Sequence, residues 1–262
     1  KREQNAEYRE IIKNTLRFDP EILKRFVNFM NNPDEETAVT QFGTGDKYFG
    51  AATLLATMPG LPMFGHGQIE GLAEKYGMEF RRPYWDEQPD AELIARHERE
   101  IFPLLRKREL FASAADFRLY DLHEPDGSVN ENAFVYSNRR GDERVLVAVN
   151  NGYERAEGQV HAYTPTRGHD AGNGSDGNNL AGALGVSGSD ETFVLMQEQR
   201  SGLWYLHRAR DVRERGLRLS LDGYESRVYW NVHQRSDDAS GRLAALEREL
   251  GGSGVPDIER AI

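Results

Sequence analysis

The spacing of apolar residues changes near residue 115, and this change constrains the fold more than any other feature of the chain. Before it, apolar residues recur every three or four positions, with two short apolar runs at residues 27–30 and 61–64. After it, short and often alternating apolar runs are separated by Gly, Asp and Asn. A period of 3.6 is typical of helices and a period of two is typical of strands. The sequence therefore predicts an α/β part followed by an all-β part.

The α/β part begins with helices at residues 6–18 and 20–26, ahead of the first apolar run. A helix at residues 47–58 separates the two runs, which we predict to be strands, and Pro59-Gly60 ends that helix. Strand, helix and strand in so few residues are typical of a parallel sheet. One further amphipathic helix carries Leu93, His97, Ile101, Leu104 and Leu105 on one side, and we interpret His97 as a core residue.

The all-β part contains six short runs, which we predict to form an antiparallel sandwich or small barrel. They lie at residues 133–136, 144–150, 193–196, 202–207, 217–221 and 227–232. Residues 167–190 are rich in glycine and polar residues, and we predict a long mobile loop that buries nothing and is cut first by protease. A helix at residues 240–250 follows the strands. We divide the chain into domains at residues 1–114 and 115–235, with a helical tail at 236–262.

Composition limits the partners and the chemistry. Forty-three acidic residues against 33 basic ones give a net charge of −10, which disfavours nucleic acid and anionic membranes as partners. The chain has no cysteine, so disulfides, thiolate metal sites and thiol nucleophiles are excluded. We expect no cofactor and no metal, although GNGSD at residues 172–176 matches part of a calcium-binding repeat. No apolar run approaches the roughly 20 residues of a membrane span, so we expect a soluble protein and favour a cytoplasmic location.

Two motifs in the α/β part resemble the α-amylase superfamily, glycoside hydrolase family 13. The sequence FMNNPD at residues 29–34 is similar to the seventh-strand motif, in which Asn-His-Asp follows an apolar pair. The sequence PGLP at residues 59–62, followed by Gly67 and Gly71, is similar to the eighth-strand motif. In these enzymes the last two βα units of the barrel precede an all-β C-terminal domain, which is the order that the periodicity predicts here.

This resemblance implies a fold class of α/β plus all-β, namely the C-terminal part of a (β/α)₈ TIM barrel followed by an antiparallel β-sandwich. It implies a retaining glycoside hydrolase or glucanotransferase that acts on an α-glucan or another oligosaccharide. The family's nucleophile and general acid belong to strands four and five, which have no counterpart here. Two βα units cannot close an eight-stranded barrel. The chain, which begins with Lys1, is then a fragment whose partner is the missing N-terminal barrel portion, and we expect it to be inactive alone.

The resemblance assigns Asp34 the role of transition-state stabiliser. Asn32 beside it could hold a sugar hydroxyl or orient the carboxylate. His66, directly after the second strand, and Tyr84 with Trp85 in the following loop are candidate substrate-binding residues, because sugars stack on aromatic rings. The five candidates thus come from three separate segments of the α/β part.

Each assignment has a structural alternative. Residues 31–35 could simply form a turn and a helix cap, and Tyr84 with Trp85 could fill the space between the two domains. Trp204 and Trp230 are interpreted as core residues. The motifs also depart from the family: Pro33 replaces the histidine, the acid Glu35 follows Asp34, and Ile69 replaces an acid that recurs one step late at Glu70. A non-catalytic carbohydrate-binding or protein-interaction module therefore remains the alternative function.

Overall fold

Helices predominate up to residue 112 and strands predominate from residue 118. A computed structural model describes residues 3–75, 82–168 and 178–262. Its α-helices are α1 (Asn5–Phe18), α2 (Ala38–Phe42), α3 (Asp46–Thr57), α4 (Ala91–Glu100), α5 (Phe102–Arg106), α6 (Arg108–Ala112), α7 (Leu180–Ala183), α8 (Ala209–Arg215), α9 (Arg242–Leu250) and α10 (Ile258–Ala261), and a 3₁₀ helix spans Pro20–Arg25. Its strands are β1 (Val27–Phe29), β2 (Leu61–Met63), β3 (Arg118–Tyr120), β4 (Ala133–Arg140), β5 (Glu143–Asn150), β6 (Ala156–Val160), β7 (Thr192–Glu198), β8 (Trp204–Arg208), β9 (Leu217–Leu221) and β10 (Ser226–Ser236).

Caps and prolines explain where these helices begin and end. The carboxylate of Asp90 accepts hydrogen bonds from the backbone N–H groups of Glu92 and Leu93, which caps α4. The predicted continuous helix after it is divided, because Pro103 has no N–H to continue the ladder and α5 starts anew at Phe102. Within the described ranges, no helix is long and apolar enough to span a membrane.

The two short strands β1 and β2 run side by side in parallel, as predicted. Val27 lies opposite Leu61, and Phe29 lies opposite Met63. Among the described residues no third strand joins this pair. Val27 is 46% exposed and Leu61 is 61% exposed, so the described part of the chain leaves much of their apolar surface uncovered.

Strands from β3 onward form two antiparallel sheets, which confirms the predicted antiparallel arrangement. One has six strands in the order β3-β4-β5-β10-β7-β8, and the other pairs β6 with β9. The strands β3 and β6 were not predicted from the sequence. In β10 the register with β7 shifts between Trp230 and His233, where Asn231 has a φ of 52°. Such a bulge bends the strand locally.

Both faces of the six-stranded sheet are covered. Phe134 and Tyr136 of β4 pack with the helices of the first part, whereas the alternate residues Ala133 and Val135 face the β6–β9 sheet, α7 and α8. A third cluster joins β7 and β8 to α9 and α10. Trp230 packs against the first cluster and Trp204 against the third, so both contribute to the core as interpreted from the sequence.

The predicted loop at residues 167–190 is wrong for its second half. Asn179 caps the short helix α7, and the side chains of Leu180, Leu184 and Val186 are buried in the core between the two sheets. These three apolar residues within a polar stretch are enough to anchor the segment, because the burial of each side chain contributes about 1.5–3 kcal/mol. Residues 169–177, including the GNGSD sequence, lie outside the described residues.

Buried polar contacts join α1 to the antiparallel sheet. Arg9 is fully buried, and its guanidinium donates to the carboxylates of Asp121 and Glu131 and to the backbone carbonyl of Ala133. One turn earlier, the Asn5 amide donates to Asn132 Oδ1 at 2.7 Å. The first helix is therefore held by hydrogen bonds as well as by its apolar face.

A stability loss at mildly acidic pH is expected from His207 on β8. Desolvation lowers its pKa to about 4, although Asp211 opposes this shift. Between that value and the 6.5 of an unfolded histidine, the unfolded state binds the proton more readily. The free energy of unfolding therefore keeps its full value above pH 6.5 and decreases as the pH falls towards 4. We expect about 2 kcal/mol less unfolding free energy at pH 5 than at pH 7.5 from this residue.

Urea unfolding at pH 7.5, 6 and 5 measures this loss. His97, whose pKa is also lowered by burial, adds to the loss in the same direction. His207→Gln should reduce the pH dependence, whereas His123→Gln, at an exposed histidine, is the matched control. The same pH dependence in wild type and His207→Gln would show that this imidazole does not contribute.

Candidate functional site

A tight turn follows the carboxyl end of β1 and carries Asp34. The side-chain oxygen of Asn32 accepts a hydrogen bond from the Asp34 N–H at 2.9 Å, and its backbone carbonyl accepts from the Glu35 N–H at 3.2 Å. This is an Asx turn, a conformation that asparagine favours. Asn32 thus orients the backbone of Asp34, whose side chain lies at the surface.

The alternative that Asp34 caps a helix is wrong. The next helix, α2, begins at Ala38, and its N-cap position is occupied by Thr37. The predicted turn itself is present, so one half of the structural alternative is confirmed. An exposed carboxylate just beyond the end of a parallel strand is available to a ligand that approaches this edge of the sheet.

The loop after β2 is fixed by Gln68, and this places His66. Gln68 Oε1 accepts from the Gly65 N–H at 2.9 Å, and its backbone carbonyl accepts from the Tyr48 hydroxyl at 2.9 Å. Tyr48 also lies 3.1 Å from Nε2 of His97. His97 is fully buried, which confirms its interpretation as a core residue, whereas His66 is exposed at the tip of the loop.

Gly65 is the point at which the two strand ends touch. A Cβ atom on this residue would lie 2.4–2.7 Å from the carboxamide of Asn31, closer than real Cβ atoms approach other heavy atoms. Asn31 is only 6% exposed, and its Oδ1 is buried without a hydrogen-bond partner among the described residues. The absence of a side chain at Gly65 therefore lets the buried amide pack between β1 and β2.

Gly65→Ala is expected to lower the free energy of unfolding by about 1–3 kcal/mol, because the methyl group overpacks this contact. Combining it with Asn31→Ala should restore part of the loss, since the clashing amide is then gone. Urea unfolding of the two single variants and the double variant measures the coupling. Strictly additive losses would mean that the two residues do not meet.

Lys75 and Glu74 connect this turn to the loop that carries the aromatic candidates. Lys75 Nζ donates to the backbone carbonyl of Asp34 at 2.9 Å. The neighbouring Glu74 carboxylate accepts from the N–H of Tyr84 at 2.7 Å through Oε1 and from the N–H of Trp85 at 3.0 Å through Oε2. Two adjacent side chains thus hold both the Asp34 turn and the aromatic loop.

Tyr84 and Trp85 project from the surface. Their side chains are 70% and 58% exposed, so within the described part of the chain they do not fill a space between the two domains. Glu87, two residues further on, holds the same loop from the other side. Its carboxylate oxygens accept from the N–H of Ala73 at 2.7 Å and from the N–H of Glu74 at 2.8 Å.

A small pocket lies where these segments meet. It has a volume of about 40 Å³ and is lined by Asn31, Asn32, Pro33, Glu35, Thr37, Gly65, His66, Glu74 and Lys75. Such a volume holds little more than one water molecule. A sugar ring would therefore lie across the mouth of the pocket. Within residues 3–75, 82–168 and 178–262, no group of three or more His, Asp or Glu residues could hold a metal ion.

The structure thus brings the five predicted residues into one region, through contacts that the sequence did not reveal. Asn32 and His66 line the pocket, Asp34 shares their turn and strand end, and Glu74 links the pocket to Tyr84 and Trp85. The roles of Glu74, Glu87 and Lys75 were not predicted from the sequence. A carboxylate that accepts backbone hydrogen bonds in an irregular loop has no characteristic spacing, so no sequence signal identified them.

No protein-family model matches the sequence, and no curated protein sequence matches it. The comparison with solved structures does give matches. The α-amylase of Geobacillus thermoleovorans, solved with acarbose, has a TM-score of 0.51 and 17% identity over 89% of this chain and 42% of its own. A debranching enzyme of Nostoc punctiforme has a TM-score of 0.53 and 17% identity, over 86% of this chain and 39% of its own. A cyclomaltodextrin glucanotransferase with a three-domain ABC distribution has a TM-score of 0.51 and 16% identity, over 87% of this chain and 43% of its own.

These similarities define the class of fold. At 16–17% identity they show shared architecture, and the chain resembles α-amylase-type enzymes along most of its length. The chain spans about two fifths of the length of those enzymes. Its fold therefore corresponds to part of an α-amylase-type structure, with antiparallel sheets and adjoining helices.

Proposed function

We propose that this chain is the C-terminal portion of an α-glucan-acting enzyme of the α-amylase superfamily. In this proposal β1 and β2 are the last two strands of a (β/α)₈ barrel, and the later strands are the antiparallel β-sandwich that follows it. The observation that carries the proposal is the parallel pairing of β1 with β2, with the Asp34 turn and the His66 loop at their carboxyl ends. Catalytic residues of such barrels lie at that end of the strands.

The uncovered surface of the strand pair supports a missing barrel portion. Beside β1 lies a groove of about 930 Å³ between α1, α2 and α3, which Val27, Phe29 and Met30 line. Val27 and Phe29 remain 46% and 38% exposed. A neighbouring parallel strand would satisfy the backbone edge of β1 and cover this apolar surface. The partner of the chain is then the remaining part of the same barrel.

Catalysis by this enzyme requires carboxylates from that remaining part. Retaining cleavage uses a nucleophile and a general acid about 5 Å apart, on either side of the glycosidic bond. Asp34 supplies a third carboxylate, which stabilises the oxocarbenium-like transition state. Asn32 fixes the backbone of that residue, and His66 contacts the sugar from the second strand end. The isolated chain lacks the first two groups and is inactive.

The substrate is an α-glucan or a malto-oligosaccharide. The structural neighbours include an α-amylase solved with acarbose and a cyclomaltodextrin glucanotransferase, so both hydrolysis and transfer agree with the fold. The two reactions share one covalent intermediate and differ in whether water or a sugar hydroxyl attacks it.

Assays of reducing-sugar release from soluble starch test the proposal. The chain is compared alone and as a longer polypeptide that includes the coding sequence immediately upstream. We expect release only from the longer polypeptide. Cleavage by the chain alone, or an upstream sequence without a barrel that has two strand-end acids, would contradict the proposal.

A non-catalytic carbohydrate-binding module is the second candidate, because Tyr84 and Trp85 form an exposed aromatic pair. A free-standing short reading frame that retains maltoheptaose but has no upstream barrel would favour this candidate.

A further inference from the structure

Two glutamates hold the aromatic loop in a reciprocal arrangement. Glu74 accepts from the N–H groups of Tyr84 and Trp85, while Glu87, from within the aromatic loop, accepts from the N–H groups of Ala73 and Glu74. All four distances lie between 2.7 and 3.0 Å. We call this arrangement the glutamate clasp.

The clasp fixes the backbone and leaves the aromatic side chains free for contact. Hydrogen bonds from N–H groups to a carboxylate are about twice as strong as those between neutral groups. Glu74 is only 8% exposed, so water competes little for its oxygens. The rings of Tyr84 and Trp85, by contrast, are mostly exposed. A rigid backbone that presents exposed rings lowers the entropy lost when a ligand binds.

The position of the clasp points to a ligand that also reaches the pocket. Glu74 lines the pocket together with Asn32 and His66. Because the pocket cannot enclose a sugar ring, a bound sugar would need contact area outside it. The adjacent aromatic rings provide an apolar surface of the kind on which sugar rings stack.

We propose that Tyr84 and Trp85 form a stacking platform for a glucose unit next to the pocket, and that Glu74 and Glu87 are its positioning residues. The identity of the ligand rests on the proposed function, whereas the clasp itself rests on the hydrogen bonds described above. Glu74 acts through the backbone of the aromatic residues and does not contact the sugar.

Calorimetric titration of the chain with maltoheptaose tests the platform. Trp85→Ala should weaken binding about tenfold, which corresponds to about 1.4 kcal/mol. Glu74→Gln should weaken it about fivefold, because its amide nitrogen cannot accept the second backbone hydrogen bond. Glu98→Gln, at an exposed position on α4, removes the same charge and should bind as wild type does.

A double-mutant cycle separates positioning from general destabilisation. In a background that carries both Tyr84→Ala and Trp85→Ala, Glu74→Gln should cause no further loss of affinity, because both rings that it positions are gone. Amide exchange at Tyr84 and Trp85 should also accelerate at least tenfold in Glu74→Gln. Equal affinity of Glu74→Gln and wild type, or additive losses in the cycle, would refute the positioning role.

The platform and the proposed function fail in different ways. If the wild-type chain does not bind maltoheptaose, the platform is refuted, whereas the starch assay on the longer polypeptide can still succeed. If the chain binds maltoheptaose through Trp85 but the longer polypeptide releases no sugar, the platform stands and the enzymatic proposal fails.

Discussion

Replacing Arg9 with alanine is expected to lower the free energy of unfolding by about 3 kcal/mol. The Arg9 side chain is fully buried, and it donates to Asp121, Glu131 and the carbonyl of Ala133. Without it the carbonyl loses a charged donor and a cavity remains. Asp121 keeps an ion pair with Lys13 at 2.9 Å, which limits the loss.

Urea unfolding at pH 7 measures this effect. Arg9→Met keeps most of the apolar stem, so the difference between the two Arg9 variants separates packing from charge. Arg17→Ala is the matched control, since this arginine is on the same helix but 49% exposed; its effect should stay within about 0.5 kcal/mol. A loss below about 1 kcal/mol in Arg9→Ala would show that the buried contacts do not stabilise the fold.

In the longer polypeptide, Asp34→Asn is expected to lower turnover about 10²-fold or more. Asparagine keeps the size and most hydrogen bonds of the side chain but removes the charge that favours an oxocarbenium-like transition state. The loss should therefore fall on kcat more than on ground-state binding. Initial rates with malto-oligosaccharides at several concentrations distinguish the two.

Glu35→Gln provides the comparison for this prediction, because Glu35 is the second acid of the same turn. Its turnover should fall much less than that of Asp34→Asn. Turnover of Asp34→Asn within a factor of about three of wild type would show that the family role does not belong to Asp34. A large loss of activity in Glu35→Gln alone would assign the role of transition-state stabiliser to Glu35.

The sequence predicted those elements whose local pattern and tertiary environment agree. Pro20 and Pro59 mark helix boundaries by their own geometry, and α1, α3, β1 and β2 lie within a few residues of their predicted positions. The strands β5 and β9 were likewise predicted, because β5 is rich in β-branched valine and leucine alternates with polar residues along β9.

The missed elements depend on contacts that no local pattern contains. In β6, with the sequence AEGQV, Ala156, Gly158 and Val160 are buried only because β9 and His123 lie against them. A Cβ atom at Gly158 would lie 2.3 Å from the carbonyl oxygen of His123. The glycine that lowers strand propensity is thus required by this close approach. Similarly, the polar composition around α7 concealed the few leucines that anchor it.

The candidate site could be predicted only in part, because some of its contacts are also absent from any local sequence pattern. Asp34 and Asn32 lie in a short turn whose form follows from Asn and Pro. Their functional roles were assigned from the resemblance to the α-amylase superfamily. The link to Tyr84 and Trp85 passes through Glu74, which is about ten residues away and accepts hydrogen bonds from their backbone N–H groups. A hydrogen bond from a backbone N–H group to a side chain does not depend on the type of the donor residue. A single sequence therefore carries no pattern that reveals such a contact across a loop.

The attachment of α1 to the distant sheet has a consequence for synthesis of the chain. Arg9 and Asp121 are separated by 112 positions, and Asn5 contacts the carbonyl of Asn151 across 146 positions. At translation rates of about 5–20 residues per second, the first helix waits roughly 6–30 s for these partners to be made. Until then the Arg9 side chain and the apolar face of α1 stay exposed to water. The first helix therefore cannot reach its final position until residue 151 has been made, and a chaperone that holds α1 until then should raise the folded yield.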